Sequence, residues 1–398
     1  MIVWLNQHNL QKRLFDIAWI CFLLAGLLSL SAWCGLDTSG KMAHVLLLIE
    51  YASAAISFIV IVLNFICRKY PWKVIVAYGI LAVIIAVSAY FANTKTMIVY
   101  FLIFGAAYGQ NSRRVVAISA MLMGALMLII IICSQVGLAP NTIWSRDGVK
   151  IREGLGFIYT STGASMYLGF LLQYIYLRKE KLKIWEFLIL GAVHVFFYLK
   201  TDSRMPFYLG IVIILFFFIE SLFKNHWRFT NVIKPLAVAA PAIIATVTVV
   251  SYLIYDRTAP FWFKINSLLS DRMNLGQNAI QTYGINLFGH DITWIGNGSG
   301  AAEGAYNYVD CSYIQELLTF GALFLIAVMA LYVIAAIKGA RIKDYWLVCV
   351  LIGACLYSVT EPNLIGMIFG PLVILAFTDL EREPLEYKRG WLKLIFSR

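Results

Sequence analysis

The sequence predicts an all-α integral membrane protein of about twelve transmembrane helices, with both termini cytoplasmic and one long extracytoplasmic loop. Three observations lead there. First, 61% of residues are hydrophobic, only 13% are charged, and mean hydropathy is +0.79, far too apolar for a soluble globular chain. Second, apolar runs of about 17–25 residues recur from end to end, each long enough to cross a hydrocarbon core of ~30 Å as a helix. Third, Lys and Arg gather in alternate gaps between these runs. Helices are dictated because a backbone in hydrocarbon must satisfy its polar groups within its own segment, and the alternating pattern of a β-barrel is absent. One polytopic domain, 1–398, is expected.

Taken in order, the helices are expected at 14–33, 43–67, 72–91, 97–109, 114–137, 155–177, 184–200, 205–223, 233–254, 312–337, 345–360 and 364–379. Lys12 and Arg13 precede a first segment that reads as a retained helix rather than a cleaved signal. With the N-terminus inside, the cytoplasmic gaps hold Arg68, Lys69 and Lys73; Arg113 and Arg114; Arg178, Lys179, Lys181 and Lys183; Lys224, Arg228 and Lys234; and Lys338, Arg341 and Lys343. The C-terminal tail adds Arg382, Lys388, Arg389, Lys393 and Arg398. Every short inner loop then obeys the positive-inside rule. These charges set orientation and meet anionic lipid headgroups, so the net charge of +11 gives no case for nucleic acid.

Other chemistries are disfavoured. The seven cysteines lie mostly in apolar segments without paired spacing, which suggests neither disulfides nor a zinc site, and no metal or cofactor is expected. Gly296-Asn297-Gly298-Ser299-Gly300 lacks the Lys-Ser/Thr ending of a P-loop. Internal repeats and paired Gly/Pro-broken helices, which would point to a secondary transporter, are also missing.

The interval from Tyr255 to Asp310 is too polar for membrane and too aromatic for disorder, carrying Phe261, Trp262, Phe263, Tyr283, Phe288 and Trp294. It is expected as an extracytoplasmic loop, 255–310, that lids a cavity. Cations on the outer side run against the topological bias, and they gather at Arg146, Lys150 and Arg152, at Lys200 and Arg204, and at Arg257, Lys264 and Arg272. Arginine suits bidentate recognition of phosphate in a partly desolvated site. The alternative is that they pair with Asp147, Glu153, Asp202, Asp256 or Asp271, their sequence neighbours.

Three motifs carry candidate chemistry. In Ser145–Ala164, two arginines precede Gly154-Leu155-Gly156-Phe157, and Thr160, Ser161 and Thr162 enter the helix. In Thr201-Asp202-Ser203-Arg204, a charged pair sits at a bundle rim with almost no loop, and Asp202 either holds Arg204 or works with it. Beginning at Tyr308, Asp310 lies three residues before Tyr313 and seven before Leu317, one face of a helix starting near Asp310. Asp310 there is either an N-terminal cap or a general base.

This order of features, an Arg-rich loop, a Leu-Gly-Phe helix, Thr-Asp-Ser-Arg, a long outer loop and Asp-x-x-Tyr before Gly321, resembles the O-antigen ligase/polymerase superfamily over about 140–325. Within it the chain is most similar to Wzy-type polysaccharide repeat-unit polymerases. Arg152 and Gly163 fit the family's Arg-x10-Gly pattern, whereas Arg272 and Gly284 are one residue too far apart. In the ligase branch a His stands where this chain has Asp310.

The resemblance implies glycosyl transfer between undecaprenyl-pyrophosphate-linked oligosaccharides at the outer face of a bacterial plasma membrane. Lipids, a flippase and a chain-length regulator would be partners, and no metal would be needed. Arg146, Arg152, Arg204 and Arg272 would bind pyrophosphate and stabilise its departure. Asp310, with His290 as second choice, would deprotonate the acceptor. The alternatives are ligase-like transfer to another acceptor, or a polysaccharide or lipid exporter, for which Glu50 would be essential.

Overall fold

The computed structural model describes residues 10–35, 40–67, 69–146, 150–222, 233–296 and 306–380. Among the described residues the protein is mainly helical, with one small β hairpin. Its elements are α1 (Leu10–Ser29), α2 (Lys41–Ile66), α3 (Trp72–Phe91), α4 (Thr96–Ala106), α5 (Ser112–Gln135), β1 (Ile143–Arg146), β2 (Lys150–Glu153), α6 (Thr162–Arg178), α7 (Ile184–Thr201), α8 (Arg204–Leu222) and α9 (Ile233–Leu253). They continue through α10 (Pro260–Leu268), α11 (Arg272–Tyr283), α12 (Ser312–Phe320), α13 (Ala322–Arg341) and α14 (Tyr345–Tyr357), followed by a 3-10 segment, Pro371–Ala376. Among the described residues, seven helices are long and apolar enough to cross a membrane: α2, α3, α5, α7, α8, α9 and α13. This is a multi-pass, all-α membrane protein.

Burial sorts the helices. On α2 and α3, Leu48, Phe58, Phe65, Val76 and Val83 stay exposed, the pattern of a lipid-facing surface, while Ser53, Ala54 and Ser57 let α2 approach α1 closely. The Ser53 hydroxyl donates to the Ala18 carbonyl at 2.8 Å. At the centre is α6, which packs on α5, α7, α8 and α14 and is buried on nearly every face. Buried hydroxyls find carbonyls: Tyr313 donates to Cys355, Tyr332 to Leu364 and Tyr167 to Leu190, at 2.8, 2.6 and 2.6 Å. Asn111 and Asp344 cap α5 and α14 by accepting from the Arg114 and Leu347 backbone N–H groups.

Four expected segments differ in detail. The helix expected from 155 begins at Thr162. Leu155 and Gly156 have φ of +54° and +86°, and the Ala32 N–H donates to the Gly156 carbonyl at 2.7 Å, so this stretch is stitched to the end of α1 instead. The helix expected at 312–337 divides at Gly321, whose φ is +89°. The 286–289 backbone wedges in there and accepts from Ala322 and Leu323, at 3.0 and 3.2 Å. The segment 364–379, interrupted by Gly366, Gly370 and Pro371, forms turns and the 3-10 segment, with Lys338 Nζ donating to the carbonyls of Leu375, Ala376 and Thr378. The interval 255–310 contains α10 and α11 and is a structured element wherever it is described.

Candidate functional site

The site assembles at one end of the bundle around Arg272, the first residue of α11. That position is set locally. Ser270 and Asp271 take the left-handed conformation, with φ of +54° and +67°, turning the chain sharply out of α10. Buried Asn266, from the last turn of α10, accepts from the Met273 and Asn274 N–H groups at 3.0 and 3.3 Å, capping α11. Its amide donates to Asp271 at 2.7 Å. Arg272 therefore leaves a turn with little freedom.

Its guanidinium is only 14% exposed and holds two carboxylates. Nε donates to Asp310 Oδ2 at 3.0 Å and Nη2 to Glu361 Oε1 at 3.3 Å. Nη1 is buried and makes no hydrogen bond among the described residues. Ser165, one turn into α6, donates to Glu361 Oε2 at 3.3 Å. Burial acts to lower the Arg272 pKa, but Glu361 and Asp310 outweigh it and the net shift is upward. Glu361 is pushed up to about 7, first by burial, with Arg272 opposing and the Asp310 charge adding to the rise. One guanidinium cannot neutralise two carboxylates.

The carboxylates are braced together. The Ser312 hydroxyl donates to the Glu361 carbonyl at 2.6 Å and accepts from the Leu364 N–H at 3.0 Å. A single side chain at the start of α12 thus fixes the 361–364 turn beside Asp310. Because α12 begins at Ser312, with Cys311 at its cap position, Asp310 lies outside the helix face expected for it. Nor does it cap α12; its side chain is turned to Arg272 instead.

A second cationic centre lies on the β1–β2 hairpin. Its register pairs Trp144 with Arg152 and Arg146 with Lys150. Arg152 is 8% exposed, donates from Nε to the Thr201 carbonyl at 2.7 Å, and lies 5.9 Å over the Tyr159 ring. Asp202, at φ +47° and buried, accepts from Lys150 Nζ at 2.6 Å, while Arg204 Nε stands 3.9 Å away. Asp202 is therefore held more closely by Lys150 than by Arg204, which remains half exposed. Glu153 accepts from Lys200 at 2.8 Å, a bond that holds its carboxyl below the usual range. The side chain of Arg146 lies outside the described residues.

The two centres adjoin. From Tyr159, under Arg152, the chain runs through Thr160, whose buried hydroxyl has no hydrogen-bond partner among the described residues, to Ser165 against Glu361. Tyr306 is within electrostatic reach of Tyr159, Asp310 and Arg272. Tyr159 and Tyr306 thus connect Arg152 to the Arg272–Asp310 pair. His290 belongs elsewhere: its N–H donates to the Leu318 and Thr319 carbonyls, and its ring meets Asn286 at 3.1 Å. Of Gly296–Gly300, only Gly296 falls within the described residues.

Glu361 is the residue that sequence reading missed. The available signal was an ionisable side chain between two long uncharged runs. The hairpin was missed as well; the Asp147-Gly148 dipeptide in the sequence was its available signal. Among the described residues, no group of His, Cys, Asp and Glu could hold a metal ion. No protein-family model, curated protein or solved structure matches the chain.

Proposed function

We propose that the protein is a membrane glycosyltransferase that polymerises undecaprenyl-pyrophosphate-linked oligosaccharide repeat units into a surface polysaccharide. The reading takes twelve crossings of a bacterial plasma membrane, both termini in the cytoplasm, and the Arg272 centre on the outer face. Beyond the seven longer helices, the remaining five crossings would come from α1, α4, α6 and α14, at 20, 11, 17 and 13 residues, and from the turn-and-3-10 segment 364–379.

One observation carries it. A buried guanidinium, Arg272, is held by two carboxylates yet keeps an N–H edge uncommitted, near a hydroxyl-bearing helix mouth, with a second buried arginine, Arg152, linked to it through Tyr159 and Tyr306. Such an arrangement suits an anion that arrives with its own apolar anchor. A lipid pyrophosphate meets that description, because its polyprenyl tail stays in the bilayer while the headgroup reaches the arginines. The growing chain is the donor. As its anomeric C–O bond breaks, negative charge develops on the departing pyrophosphate, where preorganised cations are worth most. Arg152, Arg204 and Arg272 supply them, with Arg146 at the end of β1. The incoming repeat unit presents its hydroxyl between this clamp and Asp310.

Purified protein in lipid vesicles, given a synthetic lipid-pyrophosphate repeat unit, should convert it into a ladder of longer glycans. In cells, Arg152→Ala and Arg204→Ala should each shorten or abolish the polymer; wild-type length in both would remove the pyrophosphate clamp. Transfer of glycan to a different acceptor without a ladder would make the protein a ligase. Translocation without a new bond, with Glu50 essential, would make it an exporter.

A further inference from the structure

We propose that Glu361, with Ser165 beside it, takes the proton from the acceptor hydroxyl, and that Asp310 is the carboxylate that holds Arg272 in place. This rests on the polymerase reading and assigns a role within it that the sequence motifs give to Asp310.

The geometry separates the two acids. Asp310 meets the Nε edge of Arg272 at 3.0 Å, while Glu361 takes Nη2 at 3.3 Å with Oε1 and Ser165 at 3.3 Å with Oε2. The groups facing Glu361 come from every side: Arg272 from α11, Asp310 and Tyr308 from the approach to α12, Tyr357 from α14 and Ser165 from α6. Among them stands one fixed cation for two carboxylates. Asp310, the more exposed at 26%, is solvated as well as paired. Glu361, with 8% of its side chain exposed, is the acid for which a proton is nearly as good a partner as the shared guanidinium. A carboxyl poised near neutrality accepts a proton in the transition state and releases it afterwards.

The backbone is built to keep it there. The Ser312 hydroxyl holds both the Glu361 carbonyl and the Leu364 N–H. The step balances. The acceptor oxygen forms its bond to the donor's anomeric carbon as its proton passes to a Glu361 oxygen. The anomeric C–O bond to pyrophosphate breaks, its electron pair leaves on pyrophosphate beside Arg272 and Arg152, and Glu361 later returns the proton to water.

The test compares initial rates of ladder formation across neutral pH in vesicles, for wild type, Glu361→Gln, Glu361→Asp and Asp310→Asn. Wild type should show a rate that rises with pH through about 7, following deprotonation of Glu361. Glu361→Gln should lose about 100-fold or more in rate together with that limb, while still binding a short-chain polyprenyl pyrophosphate. Asp310→Asn should slow the reaction but keep a pH limb. An active wild type with Glu361→Gln within a few-fold of it, or with the limb intact, overturns the assignment and leaves the polymerase reading standing. A wild type that builds no ladder overturns the reading and this role with it. If Glu361→Gln does not fold, Glu361→Asp decides: the carboxylate withdrawn by one methylene should move the limb's midpoint and lower the maximal rate, and an unchanged profile overturns the proposal.

Discussion

Arg272 shows what a single residue can impose. Its side chain is mostly withdrawn from solvent and stays charged because Asp310 and Glu361 face it. Removing one partner of such a cluster leaves charge uncompensated, which costs about 3–5 kcal/mol when fully buried. Arg272→Ala should therefore lower the thermal unfolding midpoint in detergent as well as abolish ladder formation. Arg272→Lys should recover part of the stability and little activity, since an ammonium cannot bridge two carboxylates with a planar fork. Glu361 gives a pH prediction whose sign is set. Its folded pKa is about 7 against an ordinary 4.5, so the folded state binds more protons between those values and stability falls as pH rises through that window. Unfolding midpoints taken from pH 4.5 to 7 should decline in wild type and run flatter in Glu361→Gln.

At the scale of elements, the site depends on backbones that approach more closely than a side chain allows. Gly289 and Gly321 both have φ of +89°, and they interlock: a Cβ on Gly289 would lie 2.1 Å from the Thr319 carbonyl oxygen, and one on Gly321 2.4 Å from that of Leu287. This is the joint where the 286–289 loop divides α12 from α13, and the Asn286 side chain accepts there from the Phe288 N–H at 3.0 Å. Gly289→Ala and Gly321→Ala should each cost about 1–3 kcal/mol or more, seen as a lowered unfolding midpoint and as weaker ladder formation because α12 carries Ser312. Gly169 is the stricter case. Its Cβ would fall 1.4 Å from the Phe369 carbonyl oxygen, so Gly169→Ala must push the 366–370 turn off α6 and should sharply reduce recovery of folded protein in detergent extracts.

For the whole molecule, the decisive property is orientation. In a chain cleared of its seven native cysteines, a cysteine replacing Arg257 should react with a membrane-impermeant thiol reagent in intact cells. One replacing Lys181 should react only after permeabilisation. The reverse pattern would invert the topology and put the Arg272 centre on the face opposite the proposed site of polymerisation. The expected asymmetry rests on assigning the Lys/Arg-rich short loops to the inner side.

The membrane class and most of the helices were legible in the sequence because they follow from local composition. A run such as Lys41–Ile66 has no way to satisfy its backbone in lipid except as a helix, whatever surrounds it. The turns into α6, the division at Gly321 and the unravelling of 364–379 were not legible as such, since each is decided by a partner distant in sequence: Ala32 at Gly156, Leu287 at Leu323, Lys338 at Leu375. The candidate site divides the same way. Arg152, Arg204 and Arg272 stood out because the expected topology puts these cations on the outer side, against the positive-inside bias, and Asp310 because of its motif. Which of them meet, that Asp202 serves Lys150 before Arg204, that His290 brackets a loop, and that Glu361 shares Arg272 with Asp310 were decided only in three dimensions. Charge can be counted along a chain, but its value depends on distance and on how much water has been excluded, and packing sets both.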